Sequence, residues 1–288
     1  MNKNNLINLT KFNIYITYCA ISVFFYLLVY DIFLKKNGNS LFFTSYTIPF
    51  YLIIFFCDLI IYQSTQYNKK KISFYDFIFV SALGLSIIGI FLSISNKHFI
   101  FNNSKYPIIN FLYSSNKTYN FSIISEYSLV LFCSIFFNIF FTFLITRLIK
   151  LETLPSIKTL DDREKYIFGL QFGNNIITRI FSAFKPALIE EIVFRHFILN
   201  FLINTLLRNN VFNHAYYAII ITNILFSLIH LNIVTNNYMK LLQTFILGII
   251  FTMIYIKYGL EMAILSHGLS NITFLFIKKF QFPEVNQT

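Results

Sequence analysis

The amino-acid sequence predicts an all-α membrane protein, on the evidence of its composition, its long apolar runs and the placement of its charges. Of 288 residues, 56% are hydrophobic and only 12% are charged, whereas soluble domains carry about 25% charged residues. The mean hydropathy is +0.63. Several apolar runs have about the 20 residues that a helix needs to cross a bilayer. The predicted fold is a polytopic membrane helix bundle with about eight transmembrane helices plus one amphipathic helix.

The eight expected spans are apolar runs separated by charged or Asn-rich segments. They cover residues 12–34, 42–62, 74–94, 127–149, 186–207, 215–231, 238–256 and 260–277. The fifth is expected to begin at Pro186, because proline suits the first position of a helix. The amphipathic segment 166–184 precedes it and is suited to lie in the membrane interface. A buried helix with one polar face is the alternative for that segment.

The most charged stretch of the chain, 150–165, contains the helix breaker Pro155 and is interpreted as a solvated linker. It divides the chain into two halves. The predicted organisation is an N-terminal membrane region of four helices at 1–150, a charged cytoplasmic linker at 151–165, a catalytic membrane domain at 166–280 and a tail at 281–288.

The net charge of +11 would raise nucleic acid as a partner of a soluble protein. Here most Lys and Arg residues lie in short loops between apolar runs, which is the pattern that orients membrane proteins. We count the Lys and Arg residues in the loops on each side of the membrane, with Lys240 among the cytoplasmic ones. The excess predicts a multi-pass protein of the cell membrane with both termini in the cytoplasm. The expected partners are the lipid bilayer and no nucleic acid. Glu190 would lie about 7–8 Å below the cytoplasmic face.

Three ionisable groups, Glu190, Glu191 and Arg195, lie in the apolar run around 187–203. Each costs about 2.5–3.5 kcal/mol in a bilayer unless it is paired or faces a polar cavity. Glu191 and Arg195 are spaced i, i+4 and share one helical face. Glu190 points about 100° away and has no local partner, which suits a general base. A charge cluster that only fixes helix packing is the alternative.

Two further apolar helices carry aligned polar groups. His230 ends the sixth run with Phe226 four residues before it, where Phe226 would form a wall. His267 and Asn271 are spaced i, i+4 on the eighth, and Gly268 between them allows close approach of another helix. A lone buried histidine is more often a packing residue than a catalyst. Three helices with polar groups suited to hydrolysis together indicate a polar cavity.

These motifs are E-E-x-x-x-R at 190–195, F-x-x-x-H at 226–230 and H-x-x-x-N at 267–271. In this order they resemble the CAAX protease and bacteriocin-processing (CPBP/Abi) family of intramembrane endopeptidases, which is related to the Ras-converting CAAX endopeptidase. The resemblance covers about residues 160–280. In this family the motif's Arg is often followed by Gly, whereas His196 follows it here.

The resemblance implies that Glu190, helped by His230, activates a water molecule that attacks the scissile carbonyl. It also implies that His267 and Asn271 form an oxyanion hole for the tetrahedral intermediate. Three further residues are expected to support this centre: Glu191, Arg195 and Phe226.

The family has been described both as metalloproteases and as metal-independent glutamate proteases. We expect no cofactor; the alternative is Zn²⁺ held by Glu190, His230 and His267 with an open fourth position. The zinc motif H-E-x-x-H is absent from the sequence.

The expected function is an intramembrane endopeptidase acting on a membrane-associated protein or peptide. A prenylated C-terminal motif, a bacteriocin leader and a peptide pheromone are all compatible substrates. One alternative is a non-proteolytic immunity or regulatory scaffold of the same fold. A transporter is a further alternative, but no inverted repeat relates the two halves of the chain.

Overall fold

A computed structural model of the protein describes residues 48–67, 72–97, 121–148, 160–167, 175–203, 214–231 and 237–281. Within these ranges the regular elements are all helical, so the predicted all-α fold is confirmed. The first apolar run, 12–34, and all but the first residue of the predicted tail at 281–288 fall outside the described residues.

The described ranges contain eight α-helices and one π-helix. The α-helices are α1 Ile48–Tyr67, α2 Phe74–Lys97, α3 Phe121–Leu148, α4 Asp162–Ile167, α5 Ile176–Glu190, α6 His214–Leu228, α7 Asn237–Tyr258 and α8 Leu260–Gln281. The π-helix, Glu191–Leu199, continues α5. Apolar runs therefore located the helices to within a few residues at most ends, because burial in lipid or protein requires an uninterrupted apolar sequence.

Three helical segments in the described part of the chain are long and apolar enough to cross a membrane, judged by length and composition. They are Ile48–Gln66, Phe74–Leu92 and Tyr238–Tyr258. Two shorter apolar helical segments are Ser125–Phe140 and Tyr216–Leu228. The total of eight spans stays a prediction.

Pro186 lies inside α5, so the prediction that it begins a new helix was wrong. A proline within a helix removes one backbone hydrogen bond and crowds the carbonyl four residues earlier. Ala187 and Leu188, immediately after it, are fully buried. Packing at these residues outweighs the local preference of proline for a helix start.

The chain divides into two compact units, residues 1–97 with 158–182 and residues 98–157 with 183–288. In the first unit α1 and α2 pack against each other around a small core of Ile61, Ile72, Val80 and Tyr166. The end of the predicted linker is helical there, as α4. The predicted domain boundaries remain a prediction.

Polar contacts connect the helices of this first unit. Arg163 on α4 donates two hydrogen bonds to the Asp76 carboxylate of α2, at 2.9 and 3.0 Å. Tyr166 donates to Asp58 at 3.1 Å, and Asp58 is fully buried within α1. Burial, and then the negative charge of Asp58, raise the pKa of Tyr166. The Tyr166 hydroxyl therefore stays protonated and remains a donor.

In the second unit α6, α7 and α8 pack around the π-helix, with α3 against α8. Asn223 on α6 donates to Thr252 on α7 at 3.1 Å. A Cβ at Gly248 would lie 2.5 Å from the Asn223 amide oxygen, so α6 and α7 approach closely at this glycine. Asn138 on α3 donates to the Ser270 carbonyl on α8 at 3.0 Å.

Gly268 on α8 packs directly on the ring of Phe184 on α5, as its predicted role in close helix approach requires. A methyl group there would overlap the ring, so we expect Gly268→Ala to lower the free energy of unfolding by about 1–3 kcal/mol. Unfolding of the purified protein in detergent, followed by circular dichroism, measures this. A smaller loss is expected in a Phe184→Leu background. An equal loss in both backgrounds would contradict overlap as the cause.

Candidate active site

The π-helix places the acidic pair of the E-E-x-x-x-R motif. Glu190 is the last residue of α5, and Glu191 begins the nine-residue π-helix. π-Helical hydrogen bonds run from i to i+5, and such segments are rare and often occur at functional sites. Neighbouring residues of a helix point about 100° apart, so the side chains of Glu190 and Glu191 leave the helix in different directions.

Glu191 and Arg195 form an ion pair that is shielded from solvent. Both side chains are 0% exposed, and Arg195 Nη1 lies 3.2 Å from Glu191 Oε1. Arg195 Nη2 also donates to the Gly248 carbonyl at 3.2 Å. The guanidinium lies 4.1 Å above the centroid of the Phe226 ring, a cation–π contact. The i, i+4 contact expected from the sequence is therefore present.

Glu191 also holds His267. His267 Nδ1 lies 2.8 Å from Glu191 Oε1, and the imidazole stacks on Phe251 at 4.5 Å. Because the Glu191 carboxylate is paired with Arg195, it acts as the acceptor and the Nδ1 of His267 carries the proton. The other ring nitrogen, Nε2, then carries a lone pair and lies 3.7 Å from Glu190 Oε2.

His230 lies just beyond the end of α6 and is held in the same manner. Its Nδ1 donates to the Phe226 carbonyl at 2.8 Å. A carbonyl oxygen only accepts, so Nδ1 carries the proton and Nε2 has the lone pair. That Nε2 lies 3.8 Å from Glu190 Oε2. Glu190 Oε2 accepts no hydrogen bond within the described residues.

Three predicted site residues therefore converge: Glu190, His230 and His267. The side chain of His267 is 6% exposed, whereas those of His230 and Glu190 are 16% and 19% exposed. The centre is therefore closed on the Glu191 and Arg195 side and accessible on the Glu190 and His230 side. The separations of 3.7 and 3.8 Å are too long for direct hydrogen bonds. A water molecule has two protons and can donate to two of these three acceptors.

Phe226 packs against the histidines of the candidate site, and its role as a wall of that site stays a prediction. Its ring is buried and contacts Phe194 at 5.4 Å, His230 at 4.8 Å and His267 at 5.9 Å between centroids. The guanidinium of Arg195 lies over one face of the same ring.

Asn271 lies on the same helix as His267 but makes a different contact. Its Nδ2 donates to the Ala183 carbonyl of α5 at 3.2 Å. The structure thus ties Asn271 to the backbone of α5, and not to the three converging side chains. Its role as an oxyanion donor stays a prediction and would require that hydrogen bond to be exchanged.

His196, the residue that departs from the family pattern, is fully buried in a separate polar cluster. Its Nδ1 lies 3.2 Å from the Tyr255 hydroxyl, and Asn200 donates a hydrogen bond to that hydroxyl at 2.7 Å. This cluster joins the π-helix region to α7. His196 therefore takes part in helix packing.

Sequence reasoning missed three residues on α7. Gly248 accepts from Arg195, and Phe251 stacks on His267. Lys240, counted from the sequence as a loop charge, lies in the first turn of α7 and interacts electrostatically with Glu190 and His230. One sequence pattern could have indicated two of the three. Lys240 and Gly248 belong to a four-residue spacing that places Lys240, Thr244, Gly248 and Thr252 along one face of a helix.

One known family matches the part of the chain that contains these residues. Residues 172–273 match the model of the family described as "Type II CAAX prenyl endopeptidase Rce1-like". This segment is Rce1-like. The resemblance drawn from the three motifs is confirmed, and the Rce1-like segment contains all of them. Neither the curated proteins nor the solved structures gave a match to the chain.

The Rce1-like family consists of CAAX-type endopeptidases, so it points to a protease, and together with the apolar helices it indicates a membrane protein. A bilayer and a peptide substrate are the partners that such a protease implies.

The donor set of the centre would also suit a metal ion. Glu190, His230 and His267 offer one carboxylate and two imidazole Nε2 atoms, which are the ligand types of catalytic Zn²⁺ sites. The Nδ1 hydrogen bonds to Glu191 and to the Phe226 carbonyl are of the kind that orients metal-binding histidines. As placed, no group of three His, Cys, Asp or Glu side chains among the described residues has metal-binding spacing.

Proposed function

We propose that the protein is an intramembrane endopeptidase that hydrolyses a peptide bond of a membrane-associated protein or peptide. The observation that carries this proposal is the convergence of His230 and His267 on one oxygen of Glu190, at 3.8 and 3.7 Å. The family match supports the reaction class.

Glu190 acts as the general base in this mechanism. A water molecule hydrogen-bonded between Glu190 Oε2 and His230 Nε2 loses a proton to the carboxylate as it attacks the scissile carbonyl. Both acceptors are held in place, Glu190 by the end of α5 and His230 by its hydrogen bond to the Phe226 carbonyl. A positioned base of this kind contributes about 10²–10⁴-fold in rate.

His267 supplies the proton that the departing amine needs. Its Nε2 receives the proton from Glu190, and the imidazolium that forms is stabilised by Glu191 through Nδ1. A carboxylate behind a histidine plays this orienting role in serine hydrolases. Once protonated, His267 Nε2 is also a donor for the oxyanion, and Asn271 is proposed as the second donor.

The mechanism proposed here uses no metal. If a Zn²⁺ ion were bound, Glu190, His230 and His267 would hold it and it would lower the pKa of a bound water molecule. We expect cleavage activity to persist, within about twofold, after dialysis against EDTA or 1,10-phenanthroline. Elemental analysis of the dialysed protein is the control. Activity that disappears with the metal and returns with Zn²⁺ would replace the metal-free mechanism.

The test of function is cleavage by the protein reconstituted in liposomes, with products identified by mass spectrometry. A prenylated C-terminal peptide, a bacteriocin leader and a peptide pheromone are the candidate substrates. Loss of cleavage is expected in Glu190→Gln and in His230→Ala. Full activity in both variants would contradict the proposal.

The proposal includes a multi-pass arrangement with both termini in the cytoplasm, supported by the distribution of Lys and Arg in the sequence. The accessible side of the centre would then face the cytosol. Cysteine accessibility at either terminus, measured in intact cells, tests this orientation.

A further inference from the structure

The helices α7 and α8 form a hairpin that turns at Gly259. The φ angle of Gly259 is 91°, in the left-handed region that favours glycine. Phe251 and His267 lie eight residues before and after this turn, so the antiparallel helices bring the two side chains to the same level of the hairpin. Their rings stack with centroids 4.5 Å apart and planes 17° from parallel, and Phe251 is buried.

The plane of the His267 imidazole depends on its packing. The last torsion of a histidine side chain has broad minima, so contacts must select the ring orientation. Glu191 holds one atom of the ring, Nδ1, at 2.8 Å. Phe251 covers a face of the ring, and Phe226 meets it at 80° with centroids 5.9 Å apart. In the orientation that these contacts select, Nε2 lies 3.7 Å from Glu190 Oε2.

One turn of α7 contacts both of the groups that pair with Glu191. Gly248, three residues before Phe251, accepts a hydrogen bond from Arg195 at 3.2 Å through its carbonyl. Residues three apart share one helical face, and the Phe251 ring centroid lies 6.0 Å from the Arg195 guanidinium carbon. Arg195 and His267 both contact Glu191 Oε1. Phe251 therefore belongs to a helical turn that is fixed at Gly248, which suits it to hold His267 in one orientation.

We propose that Phe251 is a positioning residue for proton transfer to the departing amine, because its ring keeps His267 Nε2 directed at the reaction centre. This inference rests on the proposed function, in which the C–N bond breaks, its electron pair stays on nitrogen, and the amine takes the proton of His267 Nε2. Phe251 takes no proton and acts through His267. A misplacement of about 1 Å slows a positioned reaction about 100-fold, so loss of the ring slows this step and leaves substrate binding nearly unchanged.

The experiment compares the departing amine with a leaving group that needs no proton. The probe is a synthetic farnesylated peptide that ends in a cysteine, two aliphatic residues and one further residue, in phosphatidylcholine liposomes at pH 7. The bond that the wild-type protein cleaves is first located by mass spectrometry. The peptide is then also made with a thioester at that bond, because a thiolate is a weak base and departs unprotonated, whereas an amine does not.

Phe251→Leu is expected to lower kcat for the amide about 10- to 100-fold, with KM changed by less than about twofold. Its kcat for the thioester is expected to stay within about threefold of the wild type, because that reaction needs the base but no acid. Phe251→Tyr keeps the aromatic face and is expected to retain most of the amide activity. Phe77→Leu is the matched control: Phe77 is a buried ring that stacks on Tyr62 at 5.2 Å in the other compact unit, and its loss should leave both rates unchanged.

Several results would overturn the inference. An equal loss on the amide and the thioester in Phe251→Leu would assign the ring to packing of the site as a whole. A loss confined to KM would assign it to substrate binding. Amide cleavage by Phe251→Leu at the wild-type rate, or by Phe251→Tyr at the rate of Phe251→Leu, would exclude the stacked ring as the cause.

The same measurements separate this inference from the proposed function. Glu190→Gln is assayed beside them and is expected to lose cleavage of both the amide and the thioester. A wild-type protein that depends on Glu190, with Phe251→Leu unaffected, overturns the inference alone, whereas a wild-type protein that cleaves none of the candidate substrates overturns both. If the thermal midpoint of Phe251→Leu falls below the assay temperature, Phe251→Met takes its place, because the flexible methionine side chain fills irregular space in a core.

Discussion

Glu190→Gln is expected to lower the rate of peptide cleavage about 100- to 10,000-fold. The substitution keeps the size of the side chain and removes only its capacity to take a proton. Single-turnover cleavage in liposomes measures the loss.

The stability of the same variant separates chemistry from folding. Glu190 Oε2 accepts no hydrogen bond within the described residues, so a neutral amide there breaks no observed hydrogen bond of that oxygen. The thermal midpoint of Glu190→Gln should therefore equal or exceed that of the wild type, because burying a charge is costly. Glu126→Gln, at an exposed ion pair with Lys257, is the matched control and should cleave normally. A Glu190→Gln protein as active as this control would remove Glu190 from the mechanism.

Arg195→Met is expected to give the largest loss of stability, about 3–5 kcal/mol in the free energy of unfolding. The substitution leaves Glu191 as a carboxylate with 0% exposure and no cation beside it. It also removes the contact with the Phe226 ring and the hydrogen bond to the Gly248 carbonyl. Equilibrium unfolding in mixed detergent micelles measures the change.

The double variant Glu191→Gln/Arg195→Met decides whether charge is the cause. Replacing both members of a buried ion pair is often close to neutral, whereas removing one is not. We expect the double variant to recover most of the stability lost in Arg195→Met. Lys257→Met is the surface control: the side chains of its ion pair with Glu126 are 66% and 49% exposed, and exposed pairs contribute about 0–1 kcal/mol. A double variant no more stable than Arg195→Met would contradict the charge argument.

Most helices could be predicted from the sequence because a helix buried in the membrane requires a long apolar run. The runs at 238–256 and 260–277 correspond to α7 and α8 nearly end to end. The same approach failed at Pro186, where local preference favoured a helix start and packing of fully buried neighbours kept the helix continuous. The π-helix was not predicted because the i, i+4 spacing of Glu191 and Arg195 also fits an α-helix.

The residues of the candidate site could be predicted from the sequence, but which of them contact each other could not. Spacing along one helix paired Glu191 with Arg195, yet only the folded chain places Glu191 against His267, which is 76 residues later. Lys240 was treated as an orientation signal because a cation at the end of an apolar run has that meaning in most membrane proteins. The four-residue spacing places Lys240 on the same helical face as Gly248, but only the packing of α7 brings that face to Arg195.

The fixed protonation of the two histidines has a consequence for the design of inhibitors. With Nδ1 of each ring bound to an acceptor, the carboxylate and both imidazoles present only lone pairs to a visiting molecule. A compound carrying several N–H groups, such as an amidine or a primary amine, can satisfy all three atoms at once. A compound that ends in a carboxylate is repelled there.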